Sequence, residues 1–197
     1  MFSGSRWLTA GLLLLAWRWA RGEPLRIRGP IRGRLLLVAL LMVTVNQTLM
    51  LYGLRHVGSG LAAVINAALT PIALLGLSLA SGQETFSLRQ ALAIALGVCG
   101  ILILFGPAAM NGELDLGELL GAALVTGGCL SYSAGSVLAR PLMRTMPPVQ
   151  LAATTNIVGG GILLAGALLV EPGVGTALAG HWGTAAWLAW WYLLLPG

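Results

Sequence analysis

Apolar and polar positions fall in blocks along this chain. Long apolar runs are separated by short stretches rich in Arg, Gly and Pro. A helix needs about 20 mainly apolar residues to cross roughly 30 Å of hydrocarbon. Six runs suit that role, at residues 4–20, 35–54, 60–80, 88–106, 116–139 and 149–170. A seventh, AAWLAWWYLLLPG at 185–197, rises about 20 Å if helical and is too short to cross. The pattern predicts an all-α fold: a polytopic membrane helix bundle of six full transmembrane helices plus one truncated.

Composition fixes the solvent. Of 197 residues, 57% are hydrophobic and 9% charged, with mean hydropathy +0.88. A soluble domain carries about a quarter charged residues, so this chain cannot coat a water-facing surface. Its cations are all Arg, and their placement explains the pI of about 10.2 better than nucleic acid does. Arg18, Arg21, Arg26, Arg28, Arg32, Arg34, Arg89, Arg140 and Arg144 fall on one side of the spans. The other side has Arg6 and Arg55, with the acidic loop NGELDLGE (111–118) and Glu171. Cytoplasmic loops are enriched in Arg and Lys, which makes the loop RGEPLRIRGPIRGR (21–34) cytoplasmic and a contact for anionic lipid. Met1 then lies outside, ahead of a span with no cytoplasmic anchor or cleavable leader. The expectation is that the chain is part of a longer protein.

Polar residues inside the apolar runs need a reason. Asn46 and Gln47 sit side by side in LLMVTVNQTLMLYG; Asn66 and Thr70 share a helix face and precede Pro71. Ser131, Tyr132 and Ser133, and Thr154, Thr155 and Asn156, mark two further spans. An amide facing lipid forfeits hydrogen bonds at a cost of several kcal/mol. These groups therefore face protein, as interhelical glue worth about 0.6 to 2 kcal/mol each, or line a wet pathway. Pro71 removes one backbone hydrogen bond and frees the Ala67 carbonyl, which suits either a static kink or a hinge.

Trp residues near run ends, at 7, 17, 19, 182, 187, 190 and 191, suit interface anchoring; Trp191 and Tyr192 are also candidates for cavity walls. Small-residue spacings, Gly117-x-x-x-Gly121, Ala63-x-x-x-Ala67 and the triplet Gly159-Gly160-Gly161, permit close helix approach. Cys99 and Cys129 lack metal or redox spacing and read as core residues. His56, in the turn RHVGSG, reads as a surface residue. Gly58-Ser-Gly60-Leu-Ala-Ala63 is a chance dinucleotide match, and Asn46-Gln-Thr48 is a glycosylation sequon by spelling alone. Neither a Walker A sequence nor a nucleophile, base and orienter set appears, so no catalytic residue, metal or cofactor is expected.

Three stretches carry a family resemblance: SRWLTAGLLLLAWRWARGEPL (5–25), LYGLRHVGSGLAAVINAALTPIALLGLSLASGQETFSLRQALAIALGVCGILILFG (51–106) and GGCLSYSAGSVLARPLMRTMPPVQLAATTNIVGGGILLAGALL (127–169). Their order and spacing resemble the EamA branch of the drug/metabolite transporter superfamily, usually ten spans in two inverted five-span repeats. Residues 1–106 would be spans two to five of the first repeat. Residues 107–197 would be spans six, seven and the start of eight. One span would precede Met1 and two to three would follow Gly197. Where the family has Gly-Glu, this chain has Gly82-Gln83-Glu84. An internal match agrees: TAGLLLLAW (9–17) and GGILLAGAL (160–168) are each followed by Glu-Pro, and the Arg distribution makes them cross in opposite directions.

The resemblance implies a secondary transporter in a bacterial-type cytoplasmic membrane. It would export or exchange small metabolites, amino-acid-like or other small polar or amphipathic solutes, by alternating access. Asn46, Gln47, Asn66, Thr70, Tyr132 and Asn156 are the expected substrate contacts, with Pro71 the hinge. Partners would be the small-molecule substrate and membrane lipid, with a homodimer left open and no nucleic acid. The rivals are a non-transporting accessory or structural membrane subunit and an integral membrane enzyme.

Overall fold

The computed structural model describes residues 1–23, 29–85, 87–110, 115–170 and 183–194. Parts of the loops at 21–34 and 111–118, together with Glu171, Pro172 and Trp182, lie outside the described residues. Among those described there is no strand. The helices are α1 (Phe2–Ala20), α2 (Arg32–Ala39), α3 (Asn46–Gly53), α4 (Ser59–Ala80), α5 (Leu88–Met110), α6 (Leu116–Ala139), α7 (Pro148–Val170) and α8 (Thr184–Leu194). A π-helical segment, Leu40–Val45, joins α2 to α3.

Four helical runs among the described residues are long and apolar enough to cross a membrane: Arg32–Gly53, Ser59–Ala80, Leu116–Arg144 and Pro148–Val170. The expected first span corresponds to α1, where Arg6 and Arg18 interrupt the apolar run. The fourth corresponds to α5, and the truncated seventh to α8. Leu12, Leu13, Leu92, Leu96, Ile103, Leu168 and Leu169 are exposed. Apolar exposure on this scale suits hydrocarbon as the surrounding medium.

The chain divides into two compact units. In the first, residues 1–44 and 139–197, α1 packs antiparallel against α7. The direction follows from close approaches of Gly4 to Leu164, Leu8 to Gly160 and Gly11 to Ile157. A Cβ added at Gly160 would stand 2.6 Å from the Leu8 nitrogen, so only glycine fits. Gly159 plays the same part toward the π segment, where a Cβ would meet Val43 Cβ at 2.5 Å and the Ala39 carbonyl oxygen at 2.8 Å. The Thr44 hydroxyl donates to the Gly159 carbonyl at 3.0 Å, pinning that contact. On α8 the Trp190 indole N–H donates to the Ser5 hydroxyl at 3.2 Å.

The end of α1 is closed by a Schellman turn. Gly22, at φ +70°, donates to the Trp19 carbonyl and Glu23 to the Arg18 carbonyl. This turn sets Glu23 over Arg18, whose guanidinium meets the carboxylate at 3.1 Å while Arg18 itself is 1% exposed.

The second unit, residues 45–138, holds α3 to α6 up to Leu138. Its core is Val57, Ala62, Ile65, Val125 and Cys129, with Met50, Leu61, Leu69 and Ala122 against it. Gly53 and Gly121 bring α3 and α6 together; a Cβ on Gly53 would lie 3.0 Å from the Gly121 carbonyl oxygen. The Gly82-Gln83 turn is a second Schellman motif: Gly82, at φ +67°, donates to Leu79 and Gln83 to Ser78. Gly82 thus caps α4, and the departure from the Gly-Glu spelling leaves an ordinary helix stop. The Gln83 side chain then donates to the Val137 carbonyl at 3.2 Å. A capping box starts α5, with Ser87 N–H donating to Gln90 Oε1 at 2.8 Å and Gln90 N–H to Ser87 Oγ at 3.4 Å. The core reading of the cysteines holds for Cys129 and is corrected for Cys99, which is exposed on α5 together with its neighbours Val98 and Gly100.

Candidate functional site

In the second unit α4 and α6 share a polar seam within their apolar length. On α4, the four-residue spacing of Asn66 and Thr70 lets the Thr70 hydroxyl donate to Asn66 Oδ1 at 3.1 Å. From α6 the Cys129 thiol donates to the same Oδ1 at 3.3 Å. One turn further on, the Ser133 hydroxyl donates to the carbonyl of the Thr70–Pro71 peptide, also at 3.3 Å. Cys129 and Ser133 are buried, at 1% and 0% exposure, whereas Asn66 is exposed. The seam therefore has a dry side and an open side, with Asn66 between them. Ala63, Ala67 and Pro71 are exposed beside it, so small side chains frame the amide.

Asn46, at the start of α3, meets α6 one residue earlier: a Cβ on Gly128 would lie 3.3 Å from both Asn46 Oδ1 and its carbonyl oxygen. Gly128 and Cys129 thus bring two sequence-selected amides, Asn46 and Asn66, against neighbouring positions of one helix. Gln47 is half-buried next to Asn46. Tyr132 lies on the exposed face of α6, and its carbonyl accepts from Ser136 at 2.9 Å.

Asn156 is half-buried on α7 and belongs to the first unit. Its neighbours Thr154 and Thr155 bond back to the Gln150 and Leu151 carbonyls, at 2.7 and 2.9 Å, which satisfies them within their own helix. Trp191 and Tyr192 are exposed, and Trp190 is the buried aromatic of α8. His56 is exposed near the start of α6. Among the described residues no cluster of His, Cys, Asp or Glu could hold a metal.

Residue reasoning named Ser133 among the polar groups of its span but missed Gly128 and took Cys129 for a core residue alone. A signal was present: Cys129 and Ser133 are four apart, the same spacing as Asn66 and Thr70, so two helices each offer a polar pair one turn long.

The EamA-like transporter family model matches residues 1–106, more than half of the chain. This chain belongs to the EamA-like transporter family. Its relatives agree: it is 32% identical over 197 residues to the "Uncharacterized inner membrane transporter YedA" of Escherichia coli K12, and equally to that of strain O157:H7. Each match covers 100% of this chain and 60% of the relative, so the chain spans less than two thirds of the length of the curated proteins it matches. No solved structure matches. Family membership and the four apolar helices together make this EamA-like chain a multi-pass membrane protein.

Proposed function

We propose that the chain forms part of a secondary transporter that exports or exchanges small metabolites, amino-acid-like or other small polar or amphipathic solutes, across the cytoplasmic membrane by alternating access. The observation that carries this reading is the Asn66 amide. It is held by Thr70 and Cys129 and left exposed within an apolar helix of a transporter-family chain. Hydrocarbon does not tolerate such a group, so it borders water or further protein. Asn46, Gln47, Thr70, Tyr132 and Asn156 complete the proposed contacts, and Pro71 serves as hinge.

In this reading the bundle has six full spans plus one truncated, within a 5+5 inverted repeat divided at residues 106 and 107. The antiparallel packing of α1 on α7 supports it, since these helices contain the two matching segments, 9–17 and 160–168. The Arg distribution favours a cytoplasmic 21–34 loop. An accessory subunit would explain the seam as glue, but family membership favours a carrier.

The test is exchange of a radiolabelled amino-acid mixture by the complete protein in liposomes. Asn46→Ala and Asn66→Ala should each lower flux about tenfold or more, as expected for losing a solute hydrogen bond. Unchanged flux in both would remove these assignments.

A further inference from the structure

We infer that Asn66 offers its amide N–H groups, not its oxygen, to the solute, while the Thr70 hydroxyl proton and the Cys129 thiol hold that oxygen, Cys129 acting as a positioning residue. The site therefore takes a solute through a hydrogen-bond acceptor, a carboxylate or carbonyl. This rests on the carrier reading above and adds a polarity to it.

A primary amide has one acceptor oxygen with two lone pairs and one nitrogen with two donors. At Asn66 both lone pairs are used: Thr70 Oγ1 donates at 3.1 Å and Cys129 Sγ at 3.3 Å. Reversing the amide would aim its donors at a hydroxyl and a thiol, and sulfur is a weak acceptor. It would also strip the buried thiol proton, on a residue 1% exposed, of the oxygen it now meets. The hydroxyl and the thiol thus fix the rotamer with the oxygen turned into the seam. Among the described residues the Asn66 nitrogen has no acceptor, and the residue is exposed between Ala63, Ala67 and Pro71, none of which brings a donor or a bulky side chain to compete. An amide nitrogen with its donors unspent, on an open, small-residue face, complements an acceptor group.

Ser133 holds the arrangement from behind. Its hydroxyl, fully buried, donates to the Thr70 carbonyl at 3.3 Å and ties the α4 backbone at this turn to α6. Cys129 is then more than core filler. Replacing the thiol with an apolar group of similar size releases one lone pair of Asn66 and lets the amide turn.

The experiment uses the complete protein in nanodiscs and liposomes with matched solute pairs: L-leucine against isoamylamine, L-phenylalanine against phenethylamine, and L-lysine against cadaverine. Each amine is the amino acid without its carboxylate. At least one carboxylate member should raise the melting temperature while its amine partner does not. Asn66→Asp, which keeps the shape and loses both donors, should weaken that binding about tenfold or more. Cys129→Ser keeps a donor and should stay within about threefold of wild type, whereas Cys129→Val should weaken binding about tenfold. A merely structural cysteine would lower the ligand-free melting temperature in the valine variant without changing the preference for carboxylate over amine.

Amines binding as well as their parents, Asn66→Asp retaining carboxylate affinity, or no shift with any carboxylate would overturn the inference. If the amines are carried and the amino acids are not, the polarity fails while the carrier reading stands. If neither set crosses liposomes, both fail.

Discussion

The glycine triplet of α7 offers the sharpest test of packing. Gly159, Gly160 and Gly161 are consecutive and identical in sequence terms, yet their surroundings differ. A Cβ on Gly159 would lie 2.5 Å from Val43 Cβ and 2.8 Å from the Ala39 carbonyl oxygen; one on Gly160 would lie 2.6 Å from the Leu8 nitrogen. Those atoms are backbone or first side-chain carbons, so they cannot swing away. Restoring ordinary contact near 3.4 Å requires a helix to retreat by roughly 1 Å, which also stretches the 3.0 Å Thr44 to Gly159 bond. Overpacking of this kind costs about 1–3 kcal/mol. Gly161 has nothing within 4 Å, so Gly161→Ala should stabilise by about 0.5–1 kcal/mol through helix propensity. Equilibrium unfolding in detergent micelles, followed by tryptophan fluorescence, would measure all three variants. If Gly161→Ala cost as much as Gly159→Ala, or all three were neutral, the α1 and α2 approaches to α7 drawn here would be wrong.

Other changes are as easily read. Glu23→Gln removes the countercharge over a guanidinium that is 2% exposed; with Glu23 itself 41% exposed, the loss should be about 1–2 kcal/mol in the same unfolding assay, and Glu23→Asp should recover part of it. Gly82→Ala places a side chain at φ +67° and should cost about 1–2 kcal/mol, whereas Gly76→Ala, inside α4 with open space around it, should not destabilise. Ser87→Ala breaks the capping box at the start of α5, and about 1 kcal/mol of melting stability should go with it.

The membrane class and most helix limits could be read from apolar run lengths, because hydrocarbon demands both length and internal hydrogen bonding of any crossing segment. The run at 116–139 matches α6 end to end, and 60–80 matches α4 within one residue. Less could be read where the deciding quantity is a distance between helices. A π-helical turn at Leu40–Val45 leaves no mark in composition, since it differs from α-helix only in which carbonyl each N–H meets. Asn66 and Thr70 were legible as a pair through helical spacing. Their partners were not: Cys129 reads as an ordinary apolar residue until α6 places its thiol 3.3 Å from an amide oxygen. Asn156 matched the same polar criterion yet lies in the other unit, among threonines that bond to their own helix.

The choice between glue and solute site at Asn66 turns on how an amide in an apolar helix is satisfied. Glue uses both ends, because a bilayer seam gains only about 0.6 to 2 kcal/mol per interhelical hydrogen bond, while an idle donor in hydrocarbon costs several. An arrangement that satisfied the oxygen and left the nitrogen toward lipid would lose more than it gained, and alanine would do better at that position. Here the oxygen is doubly satisfied, by Thr70 on its own helix and by the buried Cys129 from the dry side, and the residue remains open on the other side. The balance becomes favourable only if the open side meets water, further protein or a solute. Water and a solute both require an aqueous path to the middle of a span, which is the defining need of a carrier. Further protein would instead close the amide into a dry contact, and the carboxylate and amine pairs would then bind alike or not at all.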